Sequence, residues 1–183
     1  GAPPRTRAEI RRFVGNGIRN LMLQAVPDGE DNPKFEQAYE TMQTWYKAHN
    51  QIKTAPYPGV QRLIRTLKQQ GVPMAVVSNK PDASVQMLVE QWFPEITFGL
   101  GEREGLRRKP ERDMVDYAIA QLGQTGKKTV YVGDSEVDLT TAANAGLDCI
   151  SVTWGFRDRA LLVERGAKQF ADTAEELLRL IQG

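Results

Sequence analysis

The sequence predicts an α/β protein: a mostly parallel sheet covered by helices, preceded by a small all-helical module. Three observations lead there. Residues 1–54 repeat apolar side chains only at helical spacing. Ala55-Pro56-Tyr57-Pro58-Gly59 then breaks the composition, and residues 55–183 alternate short apolar runs with helical stripes. Apolar strands separated by helices of ten to thirteen residues are the pattern of a parallel sheet buried on both faces.

The elements follow in order. Ile10, Phe13 and Val14 give a first helical face, broken at Gly15-Asn16-Gly17, whose residues can cap the next helix. Ile18, Leu21, Met22 and Ala25 continue the spacing, and Pro27-Asp28-Gly29 is a turn. Phe35, Ala38, Tyr39, Met42, Trp45, Tyr46 and His49 form the longest stripe, read as helix packing. Past the linker, Val60 to Leu67 is a helix and Met74–Val77 a buried strand. Val85 to Trp92 is a helix, Ile96-Thr97-Phe98 a short strand and Val115 to Leu122 a helix. Thr129–Val132 is a strand, Val137–Ala145 a small-residue helix and Cys149–Thr153 a strand. Thr173–Ile181 is a last helix opened by a Thr173-to-Glu176 capping box.

Composition excludes several classes. Apolar residues at 40% and charged residues at 26% describe a folded globule, not a disordered chain. A net charge of +1 selects no polyanion, and the cluster of Arg103, Arg107, Arg108 and Lys109 is too short and interrupted for a nucleic-acid stripe. Cys149 is the only cysteine, so no intrachain disulfide forms, and the thiol reads as an inert small hydrophobe in a strand. No apolar run approaches the roughly 20 residues of a membrane span. Gly1-Ala2-Pro3-Pro4-Arg5 is not followed by the apolar core of a signal peptide. A cytoplasmic protein without membrane or nucleic-acid partners is expected.

Open parallel sheets bind ligands beyond the carboxyl ends of their strands, and three constellations fall there. Ser78-Asn79-Lys80 follows the first strand and offers a hydroxyl and amides to phosphate oxygens. Gly133-Asp134-Ser135-Glu136-Val137-Asp138 follows a later strand; Asp134 and Asp138 lie one helical turn apart and suit Mg²⁺, although Asp134 or Ser135 equally suits a helix cap. Lys109-Pro110 places an ammonium just ahead of a helix.

Together, in this order, these motifs resemble those of the haloacid dehalogenase superfamily, with its Rossmannoid sheet and helical cap. The stretches Arg11–Gly17, Val132–Asp138 and Val152–Arg157 are similar to the phosphoglycolate phosphatases of that family. The resemblance implies that Ser78 binds the transferring phosphoryl group, supported by Asn79. It implies that Lys109 neutralises charge, that Asp134 ligates Mg²⁺, and that Asp138 orients the metal shell or Lys109. Arg12, Gly15, Asn16 and Gly17 are expected to meet the substrate's carboxylate end from a cap at residues 1–54. The implied reaction is Mg²⁺-dependent hydrolysis of a small phosphorylated metabolite, 2-phosphoglycolate first, through an aspartyl-phosphate. Arg112 stands where many relatives carry a second proline.

One departure is large. The family's Asp-x-Asp-Gly-Thr motif, which carries the nucleophile, has no counterpart; the aspartates before the linker are Asp28 and Asp31, both in a polar turn. The resemblance puts the strand bearing that motif in the middle of the sheet. The expectation is therefore a truncated or proteolysed form, without its first strand, whose sheet has a gap with two unpaired edges. Borrowing a strand, rearranging the sheet, or a dimer with swapped elements are the ways to close it. The alternatives are a phosphatase for a sugar phosphate or nucleotide, a phosphonate hydrolase or mutase, and a catalytically dead phosphate-binding protein. A response-regulator-like receiver is disfavoured, because it has no helical cap and needs an acidic cluster after its first strand.

Overall fold

The structure, a computed structural model, describes residues 3–96 and 98–183. Readings that rest on Gly1, Ala2 or Thr97 lie outside these residues. The chain divides into two compact units, Gly1–Thr54 and Ala55–Gly183.

The first unit holds α1 (Arg7–Phe13), α2 (Gly17–Ala25), a 3-10 turn (Gly29–Asp31) and α3 (Phe35–His49). A capping box that the sequence reading missed starts α1: Thr6 Oγ1 accepts from the Glu9 amide at 3.2 Å, and the Thr6 amide donates to Glu9 Oε2 at 2.8 Å. Asn16 occupies the cap position of α2 but makes no side-chain capping bond. Phe35 is fully buried, with the Arg19 guanidinium 5.1 Å from its ring centroid. Trp45 departs from the packing role expected of it. It is 55% exposed and stacks on His49 at 4.5 Å. At 3.6 residues per turn it sits about 80° around α3 from Phe35, at the margin of the apolar stripe.

The second unit begins with α4 (Val60–Gln69) and continues β1 (Ala75–Pro81), α5 (Asp82–Trp92), β2 (Phe98–Glu102) and α6 (Asp113–Gln121). Then come β3 (Val130–Gly133), α7 (Glu136–Ala145), β4 (Asp148–Val152), α8 (Arg159–Glu164), β5 (Gln169–Ala171) and α9 (Ala174–Gln182). All pairing is parallel: Val76 opposite Gly99, Tyr131 opposite Cys149, Ser151 opposite Phe170. Most boundaries shift by a residue or two from the sequence reading, and two shift by more or change what an element contains. Ser78-Asn79-Lys80 lies within β1, because Pro81 still pairs with Glu102 after a register shift. Ile96 precedes β2 and packs with Ile64, Val85 and Val89. Neither α8 nor β5 was anticipated.

The sheet is in two pieces, β1-β2 and β3-β4-β5, and among the described residues no strand joins β1 to β3. The expected gap is therefore present. Its bordering strands are only half-covered, with Val132 of β3 39% exposed, whereas Leu100 of β2 and Ile150 of β4 are fully buried. Helix α4 ties the pieces together. Its Leu63 and Leu67 pack with Ile150, Val152, Ala171, Ala174 and Leu177, while Ile64 belongs to the cluster beside β1 and β2. Burying each of those three side chains is worth about 1.5–3 kcal/mol before entropy is counted. Trp154 packs against the larger cluster.

Candidate functional site

The carboxyl ends of β1 and β3 are linked by one chain of hydrogen bonds. Asn79, buried at the end of β1, grips the Lys109 backbone at both ends of its amide. Its Nδ2 donates to the Lys109 carbonyl at 3.0 Å, and its Oδ1 accepts from the Lys109 amide at 2.9 Å. The Lys109–Pro110 peptide is cis, and Asn144 Nδ2 of α7 donates to the Pro110 carbonyl at 2.9 Å. Lys109 Nζ then donates to Asp138 Oδ1 at 2.8 Å, with the two side chains 12% and 8% exposed.

Asp138 is held by more than the lysine. Tyr131 OH donates to Oδ1 at 3.1 Å, while Ser135 Oγ and the Asp134 amide donate to Oδ2 at 2.6 and 3.1 Å. Burial raises the Asp138 carboxyl, but the Lys109 charge and the hydrogen bonds bring it below the ordinary aspartate range. This carboxylate stays ionised and saturated. Its close approach to the strand needs Gly133, where an added Cβ would overlap the Asp138 side chain.

Asp134 is tuned the other way. Burial, with the neighbouring Asp138 charge, raises its carboxyl despite the Phe156 amide, which donates to Oδ2 at 2.6 Å. Gly155 permits that approach, since a Cβ there would overlap the Asp134 carboxylate. The loop is anchored by Arg157, whose Nε and Nη2 donate to Glu136 at 2.7 and 2.9 Å. A half-buried carboxylate destabilised as an anion is one that a cation relieves, so Asp134 fits as a single hard-oxygen ligand for Mg²⁺. Asp138, with two donors on each oxygen, does not present a free face to metal. Among the described residues no group of three or more His, Cys, Asp and Glu side chains could hold a metal ion.

The candidates named from sequence therefore separate into three sets. Asn79, Lys109, Asp134 and Asp138 come together. Ser78 adjoins them through its peptide bond to Asn79, and its Oγ accepts from the Lys80 amide at 3.2 Å. Arg12, Gly15, Asn16 and Gly17 lie in the first unit, at the end of α1, the turn and the start of α2. A groove of about 700 Å³ in that unit is lined by other residues, among them Met22, Val26, Met42 and Trp45. Sequence reading missed Tyr131, Asn144 and the Gly155-Phe156 contact. Period-two alternation in β3 puts Tyr131 on the face of Gly133, which was the one available signal. Cys149 is half-buried in β4, and its thiol is pushed up to about 12 chiefly by the loss of water around it.

A family model described as haloacid dehalogenase-like hydrolase matches residues 1–152. The chain belongs to that family. Among relatives of this chain, a phosphoglycolate phosphatase of Pseudomonas putida is 31% identical over 166 residues, covering 85% of the chain and 60% of the relative. Another, from Pseudomonas fluorescens, is 28% identical over 188 residues, covering 97% and 68%. The chain thus spans roughly two thirds of the length of these relatives. A crystal structure from Lactobacillus delbrueckii, assigned as a phosphoglycolate phosphatase, superposes with a TM-score of 0.90 at 38% identity, covering 97% of this chain and 83% of that one. Among the described residues no helix is long and apolar enough to cross a membrane.

Proposed function

We propose that this hydrolase serves Mg²⁺-dependent phosphomonoester hydrolysis of a small phosphorylated metabolite, with 2-phosphoglycolate the preferred substrate. The carrying observation is the buried Lys109–Asp138 pair, tied to the tip of β1 by Asn79 and flanked by Asp134 at the tip of β3. A fixed ammonium, together with the hydroxyl of Ser78 next to Asn79 and the strand-end amides, suits the equatorial oxygens of a phosphoryl group. The names of the relatives support the choice of substrate.

Each residue has a task in this reading. Ser78 binds a phosphoryl oxygen. Lys109 offsets negative charge as it accumulates, and Asp138 keeps that ammonium aimed. Asp134 would hold Mg²⁺, which supplies further charge neutralisation when bound. The nucleophile would be the first aspartate of an Asp-x-Asp-Gly-Thr strand pairing with both β1 and β3; it attacks phosphorus, the alcohol departs with a proton from the motif's second aspartate, and water, giving its proton back to that aspartate, cleaves the aspartyl-phosphate to release phosphate. The helical unit, through Arg12 and the Gly15-Asn16-Gly17 turn, selects the substrate as the cap module, and the protein works in the cytoplasm. Closing the gap by strand exchange between two copies is a further route to a complete sheet.

A second reading, an anion-binding module without turnover, is favoured by the chain's own residues, which supply charge and hydrogen bonds but no Asp-x-Asp-Gly-Thr nucleophile. One experiment separates the two. The 183-residue chain is expected to release negligible phosphate from 2-phosphoglycolate. A version extended ahead of Gly1 by a strand bearing Asp-x-Asp-Gly-Thr is expected to release it in a Mg²⁺-dependent manner. Preference for a sugar phosphate or nucleotide in the same panel would overturn the substrate, and inactivity on all of them the enzyme.

A further inference from the structure

Tyr131 lies on β3, on the face it shares with Gly133, and plays no part in the reaction outlined above. Its hydroxyl donates at 3.1 Å to Asp138 Oδ1, the same oxygen that accepts from Lys109 Nζ at 2.8 Å. The Lys109 nitrogen also stands 5.9 Å from the centroid of the Tyr131 ring. The other oxygen, Oδ2, is filled by Ser135 Oγ and the Asp134 amide. A carboxylate oxygen offers two lone pairs, and an ammonium three hydrogens. With two donors on Oδ2, Lys109 meets Asp138 through Oδ1 alone, where it competes with Tyr131 and gives one well-aligned hydrogen. Two remain for other acceptors.

We infer that Tyr131 is a positioning residue for Lys109. By sharing Asp138 Oδ1, its hydroxyl stops the ion pair from tightening and keeps the ammonium within reach of an anion at the strand tips. This role rests on the reading of Lys109 as the anion-facing cation. Burial, reinforced by the Asp138 charge, raises the phenol, so it remains a protonated donor. Removing the hydroxyl while keeping the ring frees one lone pair. The Lys109 hydrogen bond then has Oδ1 to itself, shortens, and draws the ammonium toward Asp138 and away from the strand tips.

The test uses the 183-residue chain with Tyr131→Phe and, in parallel, Lys109→Ala. The probes are inorganic phosphate, titrated by ³¹P NMR, and the Lys109 ammonium signal in ¹⁵N NMR, with its rate of hydrogen exchange with water. Tyr131→Phe is expected to change that exchange rate and weaken phosphate binding about fivefold, the scale of one hydrogen bond. Lys109→Ala is expected to lose phosphate binding further. Substituting 3-fluorotyrosine, a stronger donor of nearly the same shape, should move ammonium exchange in the opposite direction and needs no change of packing. Unchanged exchange in both tyrosine variants overturns the role, as does altered exchange with unchanged phosphate affinity. If phosphate does not bind, or binds equally well to Lys109→Ala, the reading of Lys109 itself falls, and the role of Tyr131 with it.

Discussion

Arg19 in the helical unit and Lys109 in the α/β unit each hold carboxylate at hydrogen-bond distance, but in different surroundings. Arg19 Nη2 reaches Glu30 at 2.7 Å and Glu36 at 2.6 Å, with all three side chains open to water. Lys109 reaches Asp138 at 2.8 Å where neither side chain is more than 12% exposed. Similar distances therefore carry dissimilar consequences. Water and salt screen the first set, which sits over the rings of Phe35 and Tyr39 and orders a surface. The second is largely withdrawn from water, so removing Asp138 strands a charge and three further donors. A bond length alone does not distinguish a surface brace from a site.

The largest test of this contrast is Asp138→Ala. It leaves the Lys109 ammonium, the Tyr131 and Ser135 hydroxyls and the Asp134 amide without their acceptor. A loss of about 3–5 kcal/mol is expected from urea unfolding. A loss near that of a surface substitution would show that water enters the site freely.

A smaller effect separates the two aspartates by pH. Asp138 has a folded value below the ordinary 3.8, so its contribution is complete above 3.8 and is lost as pH falls through the depressed value. Asp134 has a folded value above 3.8. The folded state then binds the extra proton, and stability declines as pH rises from 3.8 through the raised value. Asp134→Asn should remove that decline, keep the acceptor for the Phe156 amide, and raise or preserve the melting temperature at neutral pH without Mg²⁺. An unaltered pH profile would place the Asp134 carboxylate in water. The smallest effect is at Arg19→Met, where the midpoint should stay within experimental error and added salt should matter little.

Much of the site could be read from the chain because its residues sit next to strand ends. Ser78-Asn79 and Gly133-Asp134 each adjoin an apolar run, and Asp138 is one helical turn beyond Asp134. Their proximity follows from strand-then-helix geometry. The task of Asn79 was not legible: holding the Lys109 backbone, thirty residues away, depends on how two loops meet. Tyr131 was missed because an aromatic in an apolar run looks like core until its hydroxyl has a partner. The short elements α8 and β5 were missed because six and three residues are too few to display a period.

The sequence by itself determined the order of helices and parallel strands, the break after residue 54, and which strand ends carry polar groups, since each depends on periodicity or on adjacent residues. Only the tertiary structure decided that the sheet stays in two pieces, that Asp138 is saturated while Asp134 is not, and that Tyr131 shares an oxygen with Lys109. Those are outcomes of burial and of contacts between distant segments, where the loss of water makes each missing or added donor count.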